Sequence, residues 1–117
     1  MSYPFNPGDD LIFQLESGFG LLRVLAIEGE GSGTVWHLLA YDDFFPDVET
    51  AEAALTGAPL PVCKAHMALT NRAFERTPVA RLGNRPVTED ELVAYREWLG
   101  GERSVSDRSA LLMLGIR

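Results

Sequence analysis

The residues of this chain best suited to chemistry are Cys63 and His66, which stand in a Cys-Lys-Ala-His sequence, together with His37. A thiolate and two imidazoles could ligate zinc, and a thiol beside an imidazole could act as a nucleophile with its base. A zinc site takes three or four ligands, typically from two such pairs, and the chain offers one pair. We therefore predict no metal, no cofactor and no catalytic residue, with Cys63 as a small buried thiol and His66 as an ordinary strand residue.

Two further patterns superficially suggest ligand chemistry. Gly29, Gly31 and Gly33 alternate as in a phosphate-binding loop, but Glu30 lies among them and the segment leads into a strand. Phosphate cradling needs backbone amides at a helix N-terminus, so we predict a hairpin turn here. The adjacent carboxylates of residues 42–43 would point to opposite faces of an extended backbone and would not converge on one metal ion or proton. Neither pattern indicates an enzyme.

Charge is distributed unevenly along the chain, whose formal net charge is −7. Residues 1–55 contain ten acidic side chains and one basic side chain, Arg23, whereas residues 56–117 contain seven acidic and nine basic ones. A concentrated negative field repels phosphate backbones and attracts basic surfaces, so we expect a basic protein partner and no nucleic acid. The alternative is that these carboxylates only keep the protein soluble.

Length and composition indicate one domain, comprising residues 1–117. A chain of 117 residues can bury a core without disulfides or metal. Its longest apolar runs are too short to span a bilayer, and the N-terminus lacks the basic and apolar regions of a signal peptide. The single cysteine cannot form an internal disulfide, which fits a reducing compartment. We therefore predict a cytoplasmic protein that does not associate with membranes.

The first part of the chain has the patterns of β-strands. Residues 11–16 alternate in polarity, which predicts a half-buried strand, and a turn at residues 17–20 leads to a second strand at 21–27. Gly18 and Gly20 are expected to give that turn its permissive backbone. Three later segments are also read as strands: 34–41, 62–69, and Phe74 with 78–82. The first three strands, joined by short connections, predict an antiparallel meander.

Helical signals are strongest in the C-terminal part. Residues 50–55 predict a short helix capped by Asp47 or Thr50. Thr88 and Glu91 form a capping box, and the helix that follows should end at the glycines of residues 100–101. The predicted fold class is α+β: a mostly antiparallel β meander, SH3-like or a small open barrel, β-rich over residues 1–83 and helical over 84–117.

The C-terminus is apolar over residues 111–116 and follows a last short helix, for which Ser104 or Ser106 is the predicted cap. An apolar chain end either docks on its own domain, which we expect here, or forms a contact between two copies. A homodimer through this segment is therefore the alternative.

Aromatic side chains stand among the carboxylates. Phe44 and Phe45 directly follow Asp42 and Asp43, a combination suited to gripping a basic partner, although one phenylalanine is expected to anchor the core. The predicted partner-binding residues combine acidic and aromatic side chains from the first half of the chain: Glu28, Glu30, Asp42, Asp43, Phe44, Phe45 and Asp47.

Two blocks of sequence carry a family resemblance. In the first, Pro7-Gly8-Asp9 enters an apolar strand and is followed by Gly18-Phe19-Gly20 and Arg23-Val24-Leu25; the second runs from Phe74 to Leu82-Gly83-Asn84-Arg85-Pro86. Together they resemble the immunity protein 26 family of bacterial polymorphic-toxin systems, whose later strand usually carries an aromatic residue, often Trp, where this chain has Phe74. The resemblance implies a mostly β, non-enzymatic protein that binds and neutralises a cognate toxin, often a nuclease.

The sequence thus predicts a non-enzymatic binding protein, an immunity-type inhibitor of a basic partner such as a nuclease toxin. One alternative is a small structural or regulatory subunit that dimerises through its C-terminal segment. Another is a metal- or thiol-dependent enzyme that uses Cys63 and His66.

Overall fold

In the computed structural model, which describes residues 3–115, five antiparallel strands form one open sheet with the order β4-β3-β2-β1-β5. The strands are β1 (Asp9–Leu15), β2 (Gly18–Glu28), β3 (Val35–Tyr41), β4 (Val62–Thr70) and β5 (Val79–Asn84). The helices of the same residues are α1 (Val48–Leu55), α2 (Asn71–Glu75), α3 (Val93–Leu99) and α4 (Ala110–Met113). This confirms the predicted α+β class and its antiparallel meander.

The meander comprises β1 to β4, and β5 returns to pair with the free edge of β1. This return makes β1 an inner strand, and the sheet does not close into a barrel. The middle of the sheet is covered on both faces, because consecutive residues from Asp9 to Phe13 are all buried. The prediction that β1 is only half-buried is therefore wrong.

Each face of the sheet has its own core. Leu11 and Ile12 are neighbours and point to opposite faces, and they belong to different clusters. The first core lies under α2 and α4 and contains Leu11, Phe13, Leu22, Val24, Trp36, Leu38, Met67, Leu69 and Phe74. The second lies under α1 and the segment leading into α3, and contains Ile12, Leu21, Leu25, Leu39, Tyr41, Phe45 and Ala51. The short helices and the segment before α3 thus cover a core on each face of the sheet.

The β1–β2 hairpin turns at residues 16–17 rather than at 17–20, and β2 already begins at Gly18. Gly18 and Gly20 do not have positive φ angles, so they do not supply the turn. They permit close approaches instead: a Cβ at Gly18 would lie 2.6 Å from the Phe45 carbonyl oxygen, and one at Gly20 would lie 2.3 Å from the Phe13 ring. Glycine is needed at these two positions because a side chain would block close packing, not because the backbone needs extra freedom.

The segment after β4 differs from the prediction. Phe74 belongs to the short helix α2, not to a strand, and its buried ring packs in the first core. Thr70 begins this helix by accepting a hydrogen bond from the Ala73 amide at 3.1 Å. The final strand β5 runs over Val79–Asn84, two residues beyond the predicted end. The helix was missed because five residues are too few to show a helical period.

The capping box forms as predicted. The Thr88 amide donates to Glu91 Oε1 at 3.0 Å, and the Glu91 amide donates to Thr88 Oγ1 at 3.3 Å. Regular helix begins only at Val93, after a turn, and ends before Gly100. The box therefore organises the turn that leads into α3.

The C-terminal segment docks back on the sheet. Ser109, not Ser104 or Ser106, caps α4, accepting from the Leu112 amide. Ser106 pairs instead with the outer edge of β4, where its amide donates to the Ala68 carbonyl at 2.8 Å. Three apolar side chains of the segment pack on the first core, whereas Leu112 is 58% exposed. The last residue of the predicted apolar end, residue 116, lies outside the described residues. Between residues 3 and 115, no helix is long and apolar enough to cross a membrane.

Candidate functional site

The acidic loop, defined here as residues 42–47 between β3 and α1, has a backbone tied down at both ends. The Asp42 amide donates to the Pro61 carbonyl at 2.9 Å. Phe45 exchanges two backbone hydrogen bonds with Phe19 on β2, each of 2.8 Å. Asp47 then caps α1, because its Oδ1 accepts from the Thr50 amide at 2.7 Å. These hydrogen bonds give the loop a defined shape, because they hold both of its ends to other parts of the domain.

This loop displays one aromatic ring among carboxylates. Phe44 is 55% exposed, and the side chains of Asp42, Asp43 and Asp47 are also exposed. Phe45 points inward and is only 9% exposed, so it anchors the second core rather than facing a partner. The expectation that one phenylalanine anchors the core is confirmed, and Phe45 is the one.

The negative surface continues from the loop along α1. Glu49 and Glu52 are exposed on this helix, and Val48 adds exposed apolar area beside the loop. Val62, which pairs with Tyr41 at the same end of the sheet, is 46% exposed. Neither valine was singled out from the sequence, because an isolated exposed valine has no distinctive local pattern.

Glu28 and Glu30 lie at the other end of β3. Glu28 pairs with Val35, the first residue of that strand, whereas the acidic loop follows Tyr41, its last residue. At about 3.3 Å per residue the two groups of predicted partner residues are about 20 Å apart. Glu28 is moreover engaged with His37. The structure thus separates the predicted partner-binding residues into two groups rather than one patch.

Two of the N-terminal acids are internal. Asp9 is fully buried and accepts from Asn84 Nδ2 at 2.8 Å, and Asp10 is 2% exposed and accepts from Arg85 Nε at 2.7 Å. The ion pair with Asp10 raises the pKa of Arg85. Part of the uneven charge along the sequence is therefore neutralised within the fold, by Arg85 and by Arg81, whose Nη1 lies 3.7 Å from Asp9 Oδ1.

Arg23, the single base of residues 1–55, is the centre of a buried network. Its side chain is 1% exposed and donates to Glu91, to Asp10 and to the backbone carbonyls of Gly8, Arg85 and Pro86. A buried guanidinium needs this many acceptors, because each unpaired N–H would carry a desolvation cost. The network therefore fastens the chain before β1 and the chain after β5 to the middle of β2.

The two blocks that carry the family resemblance meet in this network. Gly8 and Arg23 come from the first block, and Arg85 and Pro86 from the second. Their contacts to Arg23 are internal, so in this chain these residues stabilise the fold.

The histidines do come together, under α3. His37 Nδ1 lies 2.9 Å from His66 Nε2, and His37 Nε2 lies 2.5 Å from Glu28 Oε1. With a carboxylate as acceptor, the N–H of neutral His37 is on Nε2, so Nδ1 accepts from His66. Tyr95 and Trp98 pack over the pair with ring centroids 4.6 Å from that of His37. Tyr95 and Trp98 are three residues apart, the helical spacing that could have indicated this contact.

Both histidines are held neutral. Burial lowers the pKa of His37, against the opposing effect of Glu28, and burial together with His37 lowers the pKa of His66 to about 4. Cys63 is exposed, so the expectation of a buried thiol is wrong. Among residues 3–115, no three His, Cys, Asp or Glu side chains converge in a metal-binding arrangement. The histidine pair is packed and hydrogen-bonded beneath α3.

Comparison of the chain with protein-family models, curated proteins and solved structures finds no match.

Proposed function

We propose that this protein is a non-enzymatic inhibitory binding protein of the immunity type, which covers a basic surface of a protein partner such as a nuclease toxin. The observation that carries the proposal is the exposed ring of Phe44, presented between Asp42, Asp43 and Asp47 on a loop tied to Phe19 and Pro61. The acidic loop is the proposed centre of the interface, with the start of α1 at its rim.

The acidic loop is preorganised for binding. A loop already fixed by backbone hydrogen bonds loses little conformational entropy when it binds, so more of its contact energy appears as affinity. An exposed aromatic ring at the centre of an interface is a frequent hot spot, and surrounding charges steer the encounter. Phe44 would thus limit the dissociation rate and the carboxylates would raise the association rate.

The carboxylates are suited to a nuclease in particular, because a nuclease active site is built to receive phosphate. Five acidic side chains from residue 42 to residue 52 are exposed, without a basic residue among them: Asp42, Asp43, Asp47, Glu49 and Glu52. Glu28 and Glu30 lie about 20 Å away along β3, beyond the centre of the proposed interface.

The test begins with the product of the gene adjacent to this one, purified and immobilised for surface plasmon resonance. The triple variant Asp42→Asn, Asp43→Asn, Asp47→Asn should slow association at least tenfold at low salt. This difference should shrink as salt is added, because screening removes the steering. Asparagine at position 47 retains a side-chain oxygen for capping α1.

A matched control removes the same number of charges elsewhere: Asp90→Asn, Glu97→Gln, Glu102→Gln, all exposed positions. We expect this control to bind like the parent protein. Phe44→Ala should instead accelerate dissociation. Equal association rates for the two triple variants would contradict the proposed surface, and absence of any complex would contradict the proposed partner.

A further inference from the structure

A cavity of about 450 Å³ lies at the opposite end of β3 from the acidic loop. It is half open to solvent and is lined by the N-terminal segment, the turn between β2 and β3, helix α2 and the beginning of β5, with Trp36 among its lining residues. Its volume falls within the range of small-molecule sites, which is about 300–1,000 Å³. The proposed interface does not include it.

Four aromatic rings line this cavity; Trp36 and Phe74 are only 1% and 4% exposed, whereas Tyr3 and Phe5 are partly exposed. Trp36 and Phe74 are stacked with centroids 4.2 Å apart, and Phe5 meets both edge-on at 6.3 and 6.0 Å. Tyr3 also packs edge-on against Trp36, and its hydroxyl donates to the Gly29 carbonyl. Tyr3 and Phe5 therefore present the ring surface that a ligand can contact. Because both pack against the buried rings, an aromatic or cyclic body could bind without the wall having to order first.

The polar side of the cavity is negative. Glu30 and Glu75 line it, and no Lys or Arg among residues 3–115 does. The Asn71 amide is already committed, because its Oδ1 accepts from Trp36 Nε1 at 2.9 Å and its Nδ2 donates to Glu75 Oε1 at 3.1 Å. The carboxylate oxygens are therefore the principal acceptors left to a ligand, and they favour a donor with positive charge.

Thr77 contributes a second, independent observation at this cavity. It lines the cavity, is 3% exposed, and its hydroxyl is the one buried side-chain polar atom of residues 3–115 that has no hydrogen-bond partner. A buried polar atom without a partner costs free energy, so native proteins rarely leave one unsatisfied. A ligand with a polar group next to its apolar body would supply the partner.

We propose that this cavity binds a small organic cation, an ammonium group carried on an aromatic body. The rings take the body, Glu30 and Glu75 attract the ammonium group, and Thr77 supplies a further hydrogen bond. A carboxylate of the same shape meets two negative charges and no base from the described part of the chain, so its binding is disfavoured. This site is independent of the acidic loop, and either could exist without the other.

The experiment is isothermal titration calorimetry of the full chain at pH 7 with 2-phenylethylammonium, and with 3-phenylpropionate as the anion of similar shape. We expect one site for the cation and at least tenfold weaker binding of the anion. Glu75→Gln retains an oxygen for Asn71 but removes the charge, and should weaken cation binding at least threefold. Thr77→Val, which keeps the side-chain shape, should also weaken it.

Glu49→Gln is the matched control, since it removes one exposed charge from α1 at the other end of the sheet. It should bind the cation like the parent protein. The proposal is overturned if the cation gives no saturable heat, if cation and anion bind equally, or if Glu49→Gln weakens binding as much as Glu75→Gln does.

Discussion

Arg23 and Glu91, which are 68 positions apart in the sequence, form a two-point ion pair. Arg23 Nε donates to Oε2 at 2.6 Å, and Nη2 donates to Oε1 at 3.1 Å. Burial alone would raise the pKa of Glu91, but Arg23 and the Thr88 amide together lower it. The carboxylate therefore stays ionised, and the pair fastens the turn before α3 to the centre of the sheet.

Glu91→Gln should destabilise the protein although it changes few atoms. The amide oxygen can still accept from Thr88, but Arg23 then remains buried with one carboxylate, that of Asp10 at 3.3 Å. Loss of a partner from a buried ion pair leaves a poorly compensated charge, so we expect the free energy of unfolding to fall by about 2–3 kcal/mol. Urea unfolding at pH 7 measures this.

The neighbouring Glu89→Gln is the control, because it breaks an exposed ion pair with Arg96 in the same segment. We expect its urea midpoint to match that of the parent protein. Equal losses of unfolding free energy in both variants would show that removing any charge near α3 destabilises the protein. The ion pair of Glu91 with Arg23 would then make no contribution of its own.

The elements of this fold were predictable wherever the signal is local. Alternating or apolar runs identified β1 to β4, and the Thr88–Glu91 spacing identified the entry to α3, since strand period and capping depend on neighbouring residues. The helix α2 and the true cap of α4, Ser109, were missed because four or five residues show no period. The burial of β1 on both faces depends on helices from distant parts of the chain.

The sites were less predictable, because they depend on sheet register. Pairing of β2 with β3 and of β3 with β4 brings Glu28, His37 and His66 together, and α3 then adds Tyr95 and Trp98. No local pattern gives that register, and the Cys63–His66 spacing suggested a pairing that does not occur. The acidic loop was identified from composition, but its anchoring to Phe19 was not.

Gly18→Ala should loosen the acidic loop without altering its charge. The new Cβ would lie 2.6 Å from the Phe45 carbonyl oxygen, which accepts the hydrogen bond from the Phe19 amide. Backbone must move to relieve that overlap, so we expect a loss of about 1–3 kcal/mol in unfolding free energy. Hydrogen exchange should accelerate at the Phe19 and Phe45 amides.

Gly33→Ala provides the comparison. A Cβ at Gly33 would meet nothing within 4 Å, and its φ is not positive, so its stability and exchange rates should stay close to those of the parent protein. If the Phe19 and Phe45 amides exchange as slowly in Gly18→Ala as in the parent protein, the two backbone hydrogen bonds between these residues do not determine the position of the loop.

We expect the chain to be a monomer in solution. Most of the apolar C-terminal segment is used by its own core, and Leu112 offers too little area for an interface, which needs about 800 Å² per partner. Sedimentation velocity at tens of micromolar should therefore give a monomer, and Leu112→Lys should not change its sedimentation coefficient. A dimer that Leu112→Lys dissociates would instead support the alternative of a dimeric subunit.

The histidine pair should make the protein sensitive to mild acid. The folded pKa of His66 is about 4 and that of His37 is lowered, whereas an unfolded histidine titrates near 6.5. The unfolded chain therefore binds more protons between pH 6.5 and about 4, and stability falls as pH falls through that window. After allowance for solvent screening, we expect His66 to contribute a loss of about 1 kcal/mol between pH 6.5 and pH 5.

His66→Gln isolates this effect, because the glutamine amide can still donate to His37 Nδ1 but cannot titrate. The slope of unfolding free energy against pH should become shallower between pH 6.5 and 5 and keep only the part due to His37. Carboxylates with lowered pKa values, such as Glu91, lose their charge at lower pH and do not contribute in this window. An NMR titration should place the His66 midpoint near 4. A midpoint near 6.5, with an unchanged slope in His66→Gln, would mean that His66 is solvated and that its contact with His37 does not persist in solution.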